Sequence, residues 1–406
     1  MRTRAAGVAL ALTLTGCGSA TAQPVSLPTQ LVGHVEALAP GSLVAQDINA
    51  AQTAFGLALM ARLCGTAGPN TLISPASAAD ALGLLDAAAA GSTAKSMARL
   101  LHLPLWGPAV VAAVHDHHAA LAALGTGKGD TVRTSNRVWP AVGSHPTTDY
   151  LDDVRTAYGA TLRALDYAKS PQLATDVINA QVSKDTDGLI PRLFDLPLAA
   201  TTKAALTNAV VLKAKWSSPF VDEQAKSSFS TSGGGTSSVL QMDSTEASRF
   251  TSARGWQATR LPYVSGTLEA VAMLPPKGSK ACALPTALEL ATLTGPSSAL
   301  ADVVLPRLHL VQTHDLLGVL SSMGLPLDGA YPGIGSTVVG GVVQKDVMTV
   351  DEHGTVAAAA TGIMTGTAAE LPQRRLTFDR PFLLLLEDTA THTPLFLASV
   401  GDPAST

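Results

Sequence analysis

Two groups of side chains in this 406-residue chain have types and spacings that could do chemistry. Ser92 and Lys95 are three residues apart, and in some hydrolases a lysine at this spacing activates a serine nucleophile. No second motif completes such a site, because Lys277-Gly278-Ser279 has the wrong order and no G-x-S-x-G turn is present. The sequence therefore argues against a serine hydrolase.

The second group consists of His115, His117 and His118. On a helix, His115 and His118 share one face, as a pair of metal ligands would. No cysteine or further histidine stands nearby at ligand spacing, so we expect a solvated helix face. We predict neither a metal ion nor a cofactor.

The composition limits the partners and the number of domains. Hydrophobic residues make up 46% of the chain and charged residues 14%, with a formal net charge of -4. The apolar fraction supplies a sizeable core. No Lys/Arg-rich run supports binding to nucleic acid. We therefore expect a globular protein with no nucleic-acid partner.

Residues 1–16 have the features of an export signal. Arg2 and Arg4 precede an apolar run, Gly7–Leu14, that is too short to span a bilayer as a helix. The next residues, Leu14-Thr15-Gly16-Cys17, resemble the lipobox of bacterial lipoproteins, in which the signal is cut before a cysteine that becomes acylated. An ordinary secretory signal followed by an unrelated cysteine is the alternative.

The lipobox resemblance implies a location and a tether. Cys17 would carry the lipid, and residues 17–40, with three prolines, would form a flexible tether to the domain. The protein would then lie outside the cytoplasm, anchored at the outer face of a bacterial cell membrane or released from it. Cys64 and Cys282 would remain, either paired, as an oxidising compartment allows, or as two buried thiols.

The hydrophobic periodicity changes along the chain, from helical spacing in the first half to strand-like runs in the second. Helices are predicted over 47–63, 75–89, from Ser92, and over 109–124, 149–158, 171–184, 284–293 and 313–323. Strands are predicted over 131–139, 205–214, 256–261, 268–274, 302–311, 342–350, 382–387 and 395–400. This order indicates an α+β fold, and no linker after Gly41 divides residues 41–406.

Several sequence blocks, in order from about Ile48 to Pro403, are similar to those of one family. They are Asn70–Ser77, with the pattern N-x-x-x-S-P-x-S, and Ile178–Ile190, Thr207–Phe220, Leu261–Tyr263, Met273–Pro275, Leu305–Arg307, Asp351–Thr361, Pro381–Phe382 and Phe396–Pro403. By this ordered set the chain resembles the serpins. The resemblance implies a serpin fold, with about eight or nine helices around three β-sheets and an exposed reactive loop.

The resemblance also implies an activity. A serpin is a single-use suicide substrate: a serine protease attacks the loop, and the cut loop inserts into the main sheet and traps the acyl-enzyme. Such a chain is not an enzyme and supplies no catalytic residue, and we expect it to be a monomer. A non-inhibitory serpin-fold binding or chaperone-like protein is the alternative. Members of that kind often carry bulky, charged or proline residues in the hinge.

The resemblance assigns the hinge of the loop to nine positions: Glu352, Gly354, Thr355, Val356, Ala357, Ala358, Ala359, Ala360 and Thr361. A strand that enters an existing sheet needs small side chains, and its alternate residues face opposite sides. Thr355, Ala357, Ala359 and Thr361 would turn inward, beneath a covering helix, and Gly354 would let the backbone swing. An isolated alanine run favours a helix, but the strand-like residues before it favour the loop.

Two further groups carry over from the family. The shutter, which must open for insertion, is assigned to Ser74, Ser77, Asn208 and Gln344, and the breach, where insertion starts, to Trp216, Arg307 and Glu352, with an ion pair between the last two. Gln344 stands where many serpins have a histidine, so we expect the polar network to persist without pH sensitivity there. Val356 replaces a common glutamate.

The position of the cleaved bond depends on how the loop is counted. Family spacing from Glu352 gives the bond between Ala368 and Ala369, whereas counting back from Pro381-Phe382 gives a bond after Glu370, because this loop is slightly long. A small residue indicates an elastase- or subtilisin-like protease, and Glu370 indicates a glutamate-specific one. Ala368 is favoured.

Overall fold

The computed structural model describes residues 30–38, 41–66, 68–124, 130–355 and 374–405. Eight α-helices lie in these ranges: α1 (Ala45–Leu63), α2 (Pro75–Asp86), α3 (Gly91–Leu101), α4 (Pro108–Leu124), α5 (Thr148–Tyr158), α6 (Pro171–Asp185), α7 (Ala287–Leu293) and α8 (Leu317–Ser322). None of these helices is both long and apolar enough to cross a membrane.

The described ranges also contain nineteen strands. They are β1 (Gln30–Leu31), β2 (Asn70–Ile73), β3 (Thr131–Pro140), β4 (Leu162–Arg163), β5 (Ala204–Lys215), β6 (Phe220–Ser230), β7 (Thr236–Ser244), β8 (Ser248–Ala253), β9 (Trp256–Pro262), β10 (Leu268–Leu274), β11 (Leu300–Pro306), β12 (Leu308–Asp315), β13 (Asp328–Tyr331), β14 (Ser336–Val338), β15 (Val342–Asp351), β16 (Gly354–Thr355), β17 (Arg375–Thr377), β18 (Phe382–Asp388) and β19 (Pro394–Val400).

Three sheets organise the fold. The main sheet has the order β12-β15-β16-β5-β3, and the second has the order β2-β19-β18-β10-β9-β8. The third consists of β17, β11, β7 and β6, and a short pairing of β11 with β8 joins it to the second in one large curled surface. The α+β class and the serpin architecture predicted from the sequence, with helices around three sheets, are confirmed in the described residues.

The two central strands of the main sheet, β5 and β15, pair with each other at one end and with β16 at the other. At the lower end β5 and β15 pair in parallel, from Leu206 opposite Val342 to Val210 opposite Asp346. Above this point β16 lies between them and pairs antiparallel with both. Parallel pairs are slightly less stable per residue than antiparallel ones. The sheet therefore has its weaker pairing directly below a strand of only two residues.

The two faces of the main sheet are covered differently. Helix α6 packs on one face, where Val177 and Ile178 share a buried cluster with Ala209 and Val211 of β5, and Val343 and Val347 of β15 pack against it. The other face packs on the second and third sheets in the largest strand-built core, which includes Met348 and Val350. Alternate residues of one strand thus meet either the helix or the core.

Two sequence predictions of element type are wrong in detail. The strand predicted over 302–311 is two strands, β11 and β12, because the chain passes from the third sheet to the main sheet at Arg307. The helix predicted over 313–323 begins only at Leu317, because Asp315 still pairs with Val343 at the end of β12. In both cases long-range pairing overrode local periodicity.

Part of the predicted tether lies within the described residues and contacts the domain. Strand β1 pairs antiparallel with β4. The amide of His34 donates to Asp152 Oδ1 at 2.6 Å, and the amide of Glu36 donates to Thr156 Oγ1 at 2.9 Å, so residues 30–38 lie along α5. Residues 1–29, with the lipobox and Cys17, are outside the described residues. Cys64 and Cys282 form a disulfide, with their Cα atoms 5.8 Å apart.

Candidate insertion site of the main sheet

The upper end of β5 is fixed to the β15–β16 turn by a buried tryptophan. Trp216, one residue beyond β5, stacks on Tyr263 with the ring centroids 4.5 Å apart. Its ring Nε1 donates to the carbonyl of Asp351 at 2.8 Å, and its amide donates to the carbonyl of His353 at 2.9 Å. The predicted breach residue therefore contacts the turn from which the hinge begins.

Glu352 ties the same turn to β12 and β6. Its carboxylate forms an ion pair with the Arg307 guanidinium, as the family resemblance implied. Its carbonyl accepts from the amide of Phe220 at 2.9 Å. The Glu352 side chain is only 11% exposed, so loss of Arg307 would leave a largely buried carboxylate unpaired, which costs about 1–3 kcal/mol or more.

The first hinge residues already lie in the main sheet. Gly354 pairs with Asp351 and Lys215, and a side-chain Cβ at this position would come within 2.0 Å of the Ala214 carbonyl oxygen. Only glycine fits such a close approach. Thr355 is buried, and its hydroxyl hydrogen-bonds the Tyr263 hydroxyl at 2.6 Å.

The direction of Thr355 corrects one expectation. It turns inward, as predicted, but toward Tyr263 and the strand-built core, and not beneath α6, which covers the opposite face. The remaining hinge positions, Val356, Ala357, Ala358, Ala359, Ala360 and Thr361, lie outside the described residues. So do the candidate reactive-bond residues Ala368, Ala369 and Glu370.

The four predicted shutter residues meet where β5 and β15 pair. Gln344 Nε2 donates to Asn208 Oδ1 at 3.1 Å and to the carbonyl of Ser74 at 3.0 Å. Ser74 is the N-cap of α2, and its hydroxyl accepts from the amide of Ser77 at 3.4 Å. All four residues are buried. Gln344 therefore bridges the two strands that a new strand would have to separate.

Sequence reasoning missed the residue at the centre of this network. Asn136 of β3 accepts at Oδ1 from the Ser77 hydroxyl at 2.8 Å and from Asn208 Nδ2 at 3.1 Å. It is directly opposite Asn208 in the β3–β5 ladder. A polar amide in the middle of a predicted strand was the available signal, because such a group is found in a sheet interior mainly when it has partners.

The network continues to α4 and corrects the prediction of a solvated histidine face. Asp80 accepts at Oδ1 from Gln52 Nε2 at 3.1 Å and pairs at Oδ2 with His118 Nε2 at 3.1 Å, while His117 Nε2 lies 3.2 Å from Gln52 Nε2. His117 is 1% exposed, and burial lowers its pKa to about 4. Burial also acts to lower the pKa of His118, but the Asp80 carboxylate raises it overall.

Two titratable groups lie beside Gln344 in the main sheet. His314 of β12 is directly opposite Gln344, contacts the Leu72 carbonyl at 2.9 Å through Nε2, and has its pKa lowered by burial. Asp346 is fully buried, and neither of its carboxylate oxygens has a hydrogen-bond partner among the described residues. Burial raises the pKa of the Asp346 carboxyl well above its ordinary value.

Two other groups have chemistry-bearing side chains without forming an active centre. Ser92 and Lys95 are exposed on α3. Glu269, Glu387 and His392 have ligand atoms within 4.8 Å of one another. Arg260 already donates to both oxygens of Glu269 at 2.9 Å, and His392 Nδ1 lies 2.9 Å from Glu387, so this group is an ion-pair network.

Comparison with known proteins agrees with this arrangement. The model of the serpin (serine protease inhibitor) family matches residues 50–403. The chain is 29% identical to the leukocyte elastase inhibitor of Bos taurus, over 88% of this chain and the whole of that protein. It is 31% identical to a serine proteinase inhibitor of Cavia porcellus, over 82% of this chain and 84% of that one.

Solved structures show the same fold. The thermophilic serpin tengpin in its native state covers 92% of this chain, with 97% of its own length, at a TM-score of 0.79 and 21% identity. Uncleaved ovalbumin covers 88% of this chain and the whole of its own, at a TM-score of 0.75 and 21% identity. With a family match over most of its length, this chain belongs to the serpin (serine protease inhibitor) family and is not an enzyme.

Proposed function

We propose that the protein inhibits a serine protease of the elastase or subtilisin type by inserting its cleaved reactive loop into the main sheet. The observation that carries this proposal is the register of β16. Its pairing with β5, Gly354 opposite Lys215, and its pairing with β15, Gly354 opposite Asp351, are both antiparallel and can be extended down the sheet.

The two registers lead to the same positions. Continued along β5, the new strand sets Ala359 opposite Val210 and Thr361 opposite Asn208. Continued along β15, it sets Ala359 opposite Asp346 and Thr361 opposite Gln344. These are the residues that now pair with each other, Val210 with Asp346 and Asn208 with Gln344. Once β5 and β15 move apart, one strand would therefore pair with both of them without a change of register along either.

Insertion of this strand has a favourable energetic basis. It replaces parallel pairing by two antiparallel ladders, and each added backbone hydrogen bond contributes about 0.5–1.5 kcal/mol. Ala357, Ala359 and Thr361 would share the face of Thr355, which is already buried against Tyr263. Small side chains on that face require little movement of the core. The uncut form is then held by a kinetic barrier.

The proposed protease class follows from two sources. The favoured bond follows Ala368, whose small side chain would not fill the specificity pocket of a protease that prefers large basic or aromatic side chains. Four of the relatives are named leukocyte elastase inhibitor or leukocyte elastase inhibitor A. We also propose export and lipid anchoring at Cys17, supported by the lipobox and by the disulfide between Cys64 and Cys282, which suits an oxidising compartment.

The test of inhibition uses the full chain mixed separately with elastase, subtilisin, chymotrypsin, trypsin and a glutamate-specific protease. We expect a covalent complex that survives denaturing electrophoresis with elastase or subtilisin, and the mass of the released C-terminal peptide will identify the bond. Thr355→Arg should be cleaved without forming the complex, because a charge is excluded from the buried site at Tyr263 that Thr355 occupies and from which insertion would continue. Thr148→Arg, at an exposed residue of α5, is the matched control and should behave as wild type.

Cleavage by every protease without a covalent complex would instead support the non-inhibitory binding protein. Anchoring is tested separately, by metabolic labelling with a radioactive fatty acid. Label is expected in the wild-type chain and lost in Cys17→Ser, and equal labelling of the two chains would refute lipidation at this residue.

A further inference from the structure

We propose a binding site for a phosphate monoester in a cavity between β3, β4 and the second half of α6. The cavity has a volume of about 230 Å³. Its polar lining comes from four elements and consists of Gln30, Arg137, Thr161, Arg163, Gln181 and Lys184. This site is distinct from the shutter and the breach, and its binding chemistry does not depend on protease inhibition.

The charges in this lining are all of one sign. Of the described residues that line the cavity, none is a carboxylate. The charge of Arg137 is balanced by Asp185, because its Nε and an Nη donate to Asp185 Oδ2 at 3.0 and 2.9 Å. Arg163 is half-buried and Lys184 is exposed, and neither side chain has a hydrogen bond or ion pair with any described residue. Two uncompensated cations therefore share one small cavity in a chain of net charge -4.

An adjoining cavity of about 370 Å³ has the same character. It shares Gln30, Arg137 and Thr161 with the first and adds Arg155, which donates to the Gly159 carbonyl at 3.0 Å. Its other side includes His118 and Asn136 of the shutter network, and again no carboxylate is among its described lining residues. An ordinary solvated surface has interspersed charges of both signs. The two cavities are separate but adjoin each other beside the edge of the main sheet.

The lining selects a doubly charged tetrahedral oxyanion with a small organic group. Guanidinium groups bind phosphate oxygens through paired N–H donors. Gln181 Nε2 already donates to Asp185 Oδ1 at 2.7 Å and Gln30 Nε2 donates to Thr161 Oγ1, so each amide has its second N–H for the anion, and the Thr161 hydroxyl has its hydrogen. The volume of 230 Å³ is below the range of about 300–1,000 Å³ for drug-sized ligands, which excludes a large ligand. A soluble phosphate monoester and a phospholipid headgroup share this chemistry.

The bound anion would also restrain α6. It would join Lys184 and Gln181 of that helix to Arg163 and Arg137 of β4 and β3, next to the existing contact of Asp185 with Arg137. Helix α6 covers the strands between which the loop would insert. If the proposed function holds, the occupied site should therefore slow insertion.

The experiment titrates the full chain with glycerol 3-phosphate by calorimetry, at constant ionic strength maintained with sodium chloride. We expect saturable binding of one ligand per chain. Arg163→Gln should weaken the affinity by about tenfold or more, since it removes a charge-assisted contact, and Lys184→Gln should weaken it less. Arg249→Gln is the control for loss of one positive charge, because Arg249 is an exposed arginine on β8, outside this cavity, whose side chain has no described partner.

Binding that is undetectable, or that Arg163→Gln and Arg249→Gln reduce equally, would overturn the proposal. Vesicles of phosphatidylcholine with and without phosphatidic acid distinguish the two sources of the phosphate. Retention on phosphatidic acid vesicles that glycerol 3-phosphate cannot displace would overturn the cavity as the site. Because calorimetry needs no protease, these results are independent of whether the chain inhibits one. A saturating ligand that leaves the rate of covalent complex formation unchanged would refute the restraint of α6.

Discussion

Replacement of Gln344 by leucine should release the contact that holds β5 to β15. Gln344 Nε2 donates to Asn208 Oδ1 at 3.1 Å and to the Ser74 carbonyl at 3.0 Å. Leucine has a similar volume but no donor, so the change removes both bonds while largely keeping the packing. The side chain is fully buried, and water cannot replace the lost donor without rearrangement.

The magnitude follows from what each acceptor loses. Asn208 Oδ1 is left without a described donor, which costs about 1–3 kcal/mol, whereas the Ser74 carbonyl still accepts from the Ala78 amide at 3.0 Å and loses only a second bond worth about 0.5–1.5 kcal/mol. Gln344→Leu should therefore destabilise the uncut form by about 1.5–4.5 kcal/mol. Asn208 of β5 and Gln344 of β15 lie on opposite sides of the gap that must open. Insertion separates β5 from β15 and breaks the contact to Asn208 in any case. Its loss should therefore lower the barrier to insertion as well as the stability of the uncut form.

The assay follows spontaneous conversion of the uncut protein at 37 °C into the loop-inserted form, which resists urea, on urea-gradient gels. Gln312→Leu is the matched control. Gln312 is a half-buried glutamine of the main sheet, but it bonds Asn70 and Leu72 of β2 and does not bridge β5 and β15. We expect faster conversion for Gln344→Leu than for Gln312→Leu at similar loss of stability. Equal conversion rates for the two variants would refute the assignment of Gln344 as the bridging residue.

Three further perturbations test the buried charges and the disulfide. Burial raises the pKa of Asp86 from 3.8 to about 7, so the folded protein binds this proton more tightly than the unfolded chain. The contribution of Asp86 to the free energy of unfolding is therefore most favourable below pH 3.8, and it is lost as the pH rises to about 7. Asp86→Asn should raise the urea midpoint at pH 8, by up to about 4 kcal/mol in stability, and an unchanged midpoint would contradict this. The lowered pKa of His117, about 4 against 6.5, has the opposite consequence: the wild type should lose about 3 kcal/mol as pH falls from 6.5 to 4, because the unfolded chain takes up the proton first. His117→Gln should flatten urea midpoints measured across this interval, and a slope equal to that of wild type would count against a buried neutral His117. Cys282→Ser opens a link between residues 218 apart in sequence and should cost about 5 kcal/mol by the chain-entropy model, with reduction having no further effect on the variant. A midpoint unchanged from that of the oxidised wild type would show that the disulfide is absent.

Local signals in the sequence were sufficient for most helices and for several strands. The helix predicted over 171–184 is observed as Pro171–Asp185, because a proline at its first turn and an apolar face both mark it. The strand predicted over 268–274 has those bounds in the structure, since a continuous apolar run of seven residues is typical of a strand buried on both faces. Strands β6, β7 and β8 were not predicted, because each contains several consecutive polar residues, which obscure the alternation of apolar and polar side chains typical of a strand.

In the candidate site, too, some residues could be assigned from the sequence and others only from the structure. The chemical types needed at Ser74, Asn208 and Gln344 can be read from ordered motifs, because the resemblance covers most of the chain. The role of Asn136 could not be read, because it depends on which residue of β5 lies opposite β3. The group of His115, His117 and His118 was expected on a solvated helix face, yet the packing of α4 against α1 buries His117 beside Gln52.

The sequence alone determined the fold class, the family and the small side chains of the hinge, since these depend on periodicity, motif order and residue volume. Only the tertiary structure decided three other properties. It showed that the β16 registers on β5 and β15 agree, that Gln344 bridges those strands, and that Arg163 and Lys184 share one cavity with no carboxylate among its described lining residues. Each of these joins residues far apart in sequence, and the spacing of a single chain carries no record of which strands become neighbours.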